Sequence, residues 1–168
     1  MGPFATKGVP LLPMESESSA RTPAPAPTRV LVVAHRTAAT PALLEAVRER
    51  AARGPCAFTL LVPKSAHGLH RVIDAEDQGA GEAEAVLALA LPLLEQAARG
   101  HVEGMIGDPE PLNAVQDAVN LKGFDEIIIS TLPTHVSRWM RLDLPHKVGG
   151  LGLPVTTVTA KDRAPVSG

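Results

Sequence analysis

Five short runs rich in aliphatic and β-branched residues recur along the chain, and a segment with helical periodicity separates most neighbours. The runs are RVLVVA at 29–34, AFTLLV at 57–62, VEGMI at 102–106, EIIIS at 126–130 and PVTTVT at 154–159. The first, second and fourth are apolar at nearly every position, as a strand is when both of its faces are covered. Strands that alternate with helices pair in parallel, because each helix carries the chain back to the same end of the sheet. Right-handed crossovers then leave few topologies. The expected fold is α/β: one doubly wound, open parallel sheet of five strands with helices on both faces.

Local signals place the helices. Thr40 can cap a helix whose first residue is Pro41, whose apolar stripe is Leu43, Leu44 and Val47, and which Gly54-Pro55 stops. Residues 64–81 read as a polar loop, and 82–99 as an Ala/Leu-rich helix ending at Gly100, with Pro92 predicting a kink or restart. Gly79-Ala80-Gly81 follows no strand and lacks a third glycine, so it reads as a hinge rather than a dinucleotide fingerprint. Asp108 is the expected N-cap and Pro109 the first residue of a helix through Leu112, Val115, Ala118, Val119 and Leu121. Outside this unit, residues 1–28 are rich in Pro, Ser and Ala and read as a disordered arm, with Met14 an alternative start. The domain is expected over 29–160 and a flexible tail over 161–168.

Composition excludes several functions. Sixteen basic against 18 acidic side chains give no bulk affinity for nucleic acid or membrane, and the scarcity of aromatics, with no Tyr, removes base-stacking platforms. No apolar run reaches the roughly 20 residues that span a bilayer, and no signal-peptide pattern opens the chain. A single cysteine, Cys56, excludes a disulfide framework and points to a cytoplasmic setting. His67 and His70 have helical metal-ligand spacing without a fixed third ligand, so no metal is expected. Ser130 and Thr131 lie in reach of His35 or His135, but no acidic residue is placed to orient either imidazole. No catalytic residue is therefore assigned, and the chain is not expected to be an enzyme.

The stretch FDEIIISTLPTHVSRWMRLDLPHKVGGLGL, 124–153, carries the rest. Asp125-Glu126 leads into three isoleucines, which stop at Ser130-Thr131 before a basic, Pro-interrupted segment. Ligands of open α/β sheets bind outside such strand ends. This strand, together with Gly107-Asp108-Pro109 opening the preceding helix, resembles the universal stress protein family over about 29–160. The resemblance implies strand order 3-2-1-4-5, a homodimer through the last strand and, in one branch, ATP at the ends of strands 1 and 4.

That branch carries G-x2-G-x9-G-[ST] after the fourth strand, and the corresponding positions here are Ser130, Pro133, Asp143 and Leu144. The family's acidic residue after strand 1 is replaced as well, by His35-Arg36. A phosphate cradle needs converging backbone N–H groups and a helix N-terminus free of negative charge. Pro133 and Pro145 have no N–H, and Asp143 is expected to cap the helix near Pro145 with its own carboxylate, so no standard ATP site is expected. Side chains offer an alternative. His35, Arg36, Ser130, Thr131, His135, Arg138 and Arg141 are the candidate ligand residues, with Arg suited to a phosphate or carboxylate. The competing reading makes the basic residues a solvated helix face, with Arg141 paired to Asp143.

Trp139, at helical spacing from Val136 and Leu142, reads as packing or interface. In PVTTVT, alternation suits an edge strand, so Val155, Thr156, Thr157 and Val158 are the candidate dimer interface. The expected function is non-catalytic, a homodimeric binding or regulatory protein without a required cofactor. The alternatives are a sensor for a nucleotide or other phosphate-containing ligand, and a scaffold for a protein partner using the N-terminal arm and sheet edge.

Overall fold

The computed structural model describes residues 26–65, 75–133 and 138–160. Its strands are β1 (Thr28–Val33), β2 (Cys56–Pro63), β3 (Val102–Gly107), β4 (Glu126–Thr131) and β5 (Val155–Thr159). All pair in parallel, in the order β3-β2-β1-β4-β5. The helices are α1 (Pro41–Ala52), α2 (Ala75–Ala98), α3 (Pro111–Lys122) and the short α4 (Arg138–Arg141) and α5 (Leu144–Gly149).

Successive strand residues point to opposite faces, so β1 feeds two cores. Val30 and Val32 pack with Leu43 and Val47 of α1 and with Ala90 and Leu94 of α2. Leu31 and Val33 pack on the other side with Val115 and Ala118 of α3 and with Leu144 and Val148 of α5. Each fully buried Val, Leu or Ile contributes about 1.5–3 kcal/mol relative to exposure. These burials hold helices to both faces and leave the two ends of the sheet for polar groups.

Structure and sequence expectation part at helix ends. Thr40 does cap α1: its hydroxyl accepts from the Leu43 N–H at 3.5 Å and donates to the Thr37 carbonyl at 2.9 Å. The cap of α3, however, is Glu110 with Pro111 in the first turn, two residues beyond the expected Asp108-Pro109. Asp108 instead accepts from the Glu110 N–H at 2.8 Å, which stabilises the approach to the helix. Helix α2 begins at Ala75 and includes Gly79-Ala80-Gly81, so the expected hinge is helical. It also runs through Pro92 without a break; Ala90 and Leu94, both buried, keep that stretch on the sheet despite the lost hydrogen bond.

Asp143 is the larger correction. It precedes α5 in the left-handed region, with φ 58°, and its carboxylate makes no capping hydrogen bond.

The acidic step before β4 serves the opposite end of the sheet from its serine and threonine. The Asp125 carboxylate accepts from the Arg29 N–H at 2.9 Å, while its own N–H donates to the Arg29 carbonyl at 2.8 Å. Glu126 pairs with Arg50 of α1 at 2.5 Å, both partly buried. These contacts register β4 beside β1.

Candidate functional site

Strand order reverses direction of growth at β1, whose neighbours are β2 and β4. The loops leaving β1 and β4 therefore go to opposite faces and open a crevice between them, the usual ligand position in such sheets. A cavity of about 440 Å³ lies here, within the range of roughly 300–1,000 Å³ typical of small-molecule sites.

Its floor is set by β4. Ser130 and Thr131 are adjacent and so face opposite sides of the sheet. The Ser130 hydroxyl donates to the Thr37 hydroxyl at 2.7 Å, and Thr37 donates in turn to the Ser130 carbonyl at 3.0 Å. This reciprocal pair ties the turn after β1 to the end of β4. Thr131 is only 2% exposed, and its hydroxyl has no hydrogen-bond partner among the described residues. A buried hydroxyl left unpaired costs about 1–3 kcal/mol, so its place in the cavity wall is informative.

The β1 and β2 ends form the next wall. His35 is half-buried, and its Nε2 lies 3.1 Å from the Ser65 hydroxyl. Ser65 donates to the Glu82 carboxylate of α2, which leaves the imidazole to donate through Nε2. Burial holds the His35 pKa below its ordinary value; Glu82 opposes this and Arg36 adds to it. The chain of donors runs from His35 to Ser65 to Glu82, the reverse of the arrangement that activates a serine, in which the hydroxyl donates to the imidazole.

Cations supply the mouth. Arg36 and Arg138 are exposed and Lys64 is half-buried at the cavity, and among the described residues no Asp or Glu lines its wall, the Glu82 carboxylate lying behind Ser65. Pro63, Leu132 and Trp139 provide an apolar surface. Trp139 packs against the α3 and α5 core, as its spacing predicts, and also borders the cavity.

The structure thus brings together His35, Arg36, Ser130, Thr131 and Arg138 from the sequence candidates. Arg141 is not in the wall; it lies exposed at the end of α4. Asp143 is absent from the wall too, so its charge does not occupy the crevice as expected. His135 lies outside the described residues, as do His67 and His70. Thr37, Lys64, Ser65 and Trp139 were not among the candidates. Thr37 lies in the turn after β1, beside the candidates His35 and Arg36, and Lys64 and Ser65 follow β2, a strand end at which the sequence carries no ligand motif. Trp139 gave only a packing signal. Among the described residues no group of three metal-ligating side chains comes together, and no described helix is long and apolar enough to cross a membrane.

No family model matches this chain, and no curated protein matches it significantly. Solved structures do. A universal stress protein in complex with cAMP superposes with a TM-score of 0.54 at 16% identity, covering 81% of this chain and 100% of the other. A universal stress protein family protein from Arabidopsis thaliana with AMP bound gives 0.56 at 14% identity, covering 80% and 93%. The fold is that of the universal stress proteins. One from Archaeoglobus fulgidus gives 0.55 at 16% identity, covering 78% of this chain and 93% of its own. The universal stress protein fold thus accounts for the sheet order and for the crevice between β1 and β4, while the side chains lining that crevice are this chain's own.

Proposed function

We propose that this is a divergent, non-catalytic universal-stress-protein-like binding protein that takes a small anionic ligand the size of a nucleoside monophosphate between β1 and β4. The observation that carries the reading is the cavity at the strand reversal, which combines a cationic mouth with a buried, unpaired Thr131 hydroxyl. The AMP and cAMP complexes of proteins with this fold support the ligand class. Thr131-Leu132-Pro133 supplies no glycine loop after β4, which argues against a triphosphate cradle. The donor order at His35 and Ser65 supports binding rather than turnover. Assembly as a homodimer through the β5 edge belongs to the same reading.

Thermal melting with AMP, cAMP, ADP and ATP tests it. A ligand at 100 times its dissociation constant stabilises by about 2.7 kcal/mol. AMP or cAMP is expected to raise the melting temperature more than ATP at equal concentration, and Arg36→Glu combined with Arg138→Glu to remove the shift. No shift with any of the four would overturn the proposal.

A further inference from the structure

The sheet ends in two edge strands, and they are not finished alike. The Lys64 N–H bonds the Gly107 carbonyl, so odd-numbered residues of β3 direct their backbone groups to β2, and Val102, Gly104 and Ile106 direct theirs outward. Among the described residues no further strand lies beyond β3. One of the outward groups is nevertheless occupied. The Val102 N–H donates to the Glu95 carboxylate, from the last turn of α2, at 3.1 Å. The same carboxylate oxygen lies 3.1 Å from Nδ1 of His101. Glu95 is held over the edge by the end of its own helix, because its carbonyl accepts from the Arg99 N–H at 2.8 Å and the Gly100 N–H at 3.2 Å. At the other edge, β5 consists of Val and Thr alone.

What an unblocked β3 would pair with follows from its symmetry. The outward residues are centred on Gly104. A second copy laid antiparallel about a two-fold axis there sets Gly104 opposite its counterpart and Val102 opposite Ile106, with Glu103 beside Met105 rather than beside another carboxylate. Each Val102 N–H would then have to bond the Ile106 carbonyl of the other copy, in the position that the Glu95 carboxylate holds. Two oxygens competing for one hydrogen repel each other, and stripping water from a charged carboxylate adds to the cost. By the two-fold, the obstruction acts at both ends of the pairing. A charged side chain set on an edge is a known means of preventing strand addition. We infer that β3 is a latent self-association edge of this chain, held shut by Glu95, which confines edge pairing to β5.

Sedimentation of the full chain over a hundredfold range of concentration tests this, with amide hydrogen exchange as the second readout. Glu95→Ala is expected to reach twice the wild-type mass at the upper concentrations. Glu95→Gln, which keeps an acceptor for Val102, is expected to stay at the wild-type mass. In Glu95→Ala, exchange at Gly104 and Ile106 should slow at least tenfold as concentration rises, while in wild type it should not change. Wild-type mass in Glu95→Ala at every concentration would overturn the inference. So would doubling without slower exchange at Gly104 and Ile106, which would put the new contact elsewhere. Doubling in Glu95→Gln equal to that in Glu95→Ala would overturn the hydrogen bond as the block. Wild type decides by itself as well, whether or not Glu95→Ala folds. Its Val102 amide is expected to exchange at least tenfold more slowly than those of Gly104 and Ile106; equal rates at all three would overturn the inference.

Discussion

At the scale of single residues, the crevice is built from contrasts between neighbours. Ser130 closes a hydrogen-bonded pair across the sheet, while Thr131, one position on, is unpaired. Burial beside Ser65 lowers the pKa of His35, with Arg36 next to it at the mouth. Because the folded pKa of His35 lies below the unfolded value of about 6.5, the unfolded chain takes up the proton first as pH falls. Stability is therefore complete above about pH 6.5 and declines below it, down to the depressed folded value. Melting temperatures between pH 8 and pH 5 should fall on the acid side in wild type and fall less in His35→Gln. An equal fall in both would remove His35 as the cause. Only part of this was legible in the sequence. His35 could be placed at a strand end, but its burial comes from loops distant in sequence, and its partner Ser65 lies 30 positions away.

At the scale of elements, strands were easier to read than helix boundaries. A strand buried on both faces must be apolar throughout, and its limits in the sequence fall within two residues of the observed ones. Helix ends depend on weaker, local competitions. Asp108-Pro109 and Glu110-Pro111 offer equivalent starts, and the second is used. Packing at Gly107 contributes to that choice. A Cβ there would come within 2.7 Å of the Ala114 Cβ and 3.0 Å of a Leu61 methyl group, so the first turn of α3 sits directly on the end of β3. Gly107→Ala is expected to destabilise by about 1–3 kcal/mol through overpacking, and to weaken AMP binding, because Pro109 in the following loop borders the cavity. Urea unfolding measures the first effect; a midpoint equal to wild type would show that α3 can move away at no cost.

At the scale of the whole molecule, β3 and β5 are the two open edges of the sheet. Parallel pairing alternates the direction of backbone groups, and the Ile127 N–H bonds the Pro154 carbonyl while the Ala160 N–H bonds the Thr131 carbonyl. Even-numbered residues of β5 therefore face β4, and Thr157 directs its N–H to the open edge. If the dimer forms through Val155, Thr156, Thr157 and Val158, Thr157→Pro removes an intermolecular donor without breaking the β4 ladder. Sedimentation is expected to show a dimer for wild type and a folded monomer for Thr157→Pro. A wild-type monomer, or a dimer unaffected by the substitution, would place any self-association elsewhere.

The stretch from Phe124 to Leu153 shows where local and tertiary information divide. Its apolar run, its small hydroxyl end and its lack of a glycine loop are properties of the chain alone, and the first of them determined a strand buried on both faces. Which side chains share the crevice at its end depended on tertiary structure. Strand order sets β1 beside β4, the pleat sends Ser130 and Thr131 to opposite faces, and the turn at Asp143 leaves its carboxylate out of the crevice. The physical reason is range. Burial pattern and missing N–H groups are written residue by residue, whereas a site exists only through distances between segments that packing brings together.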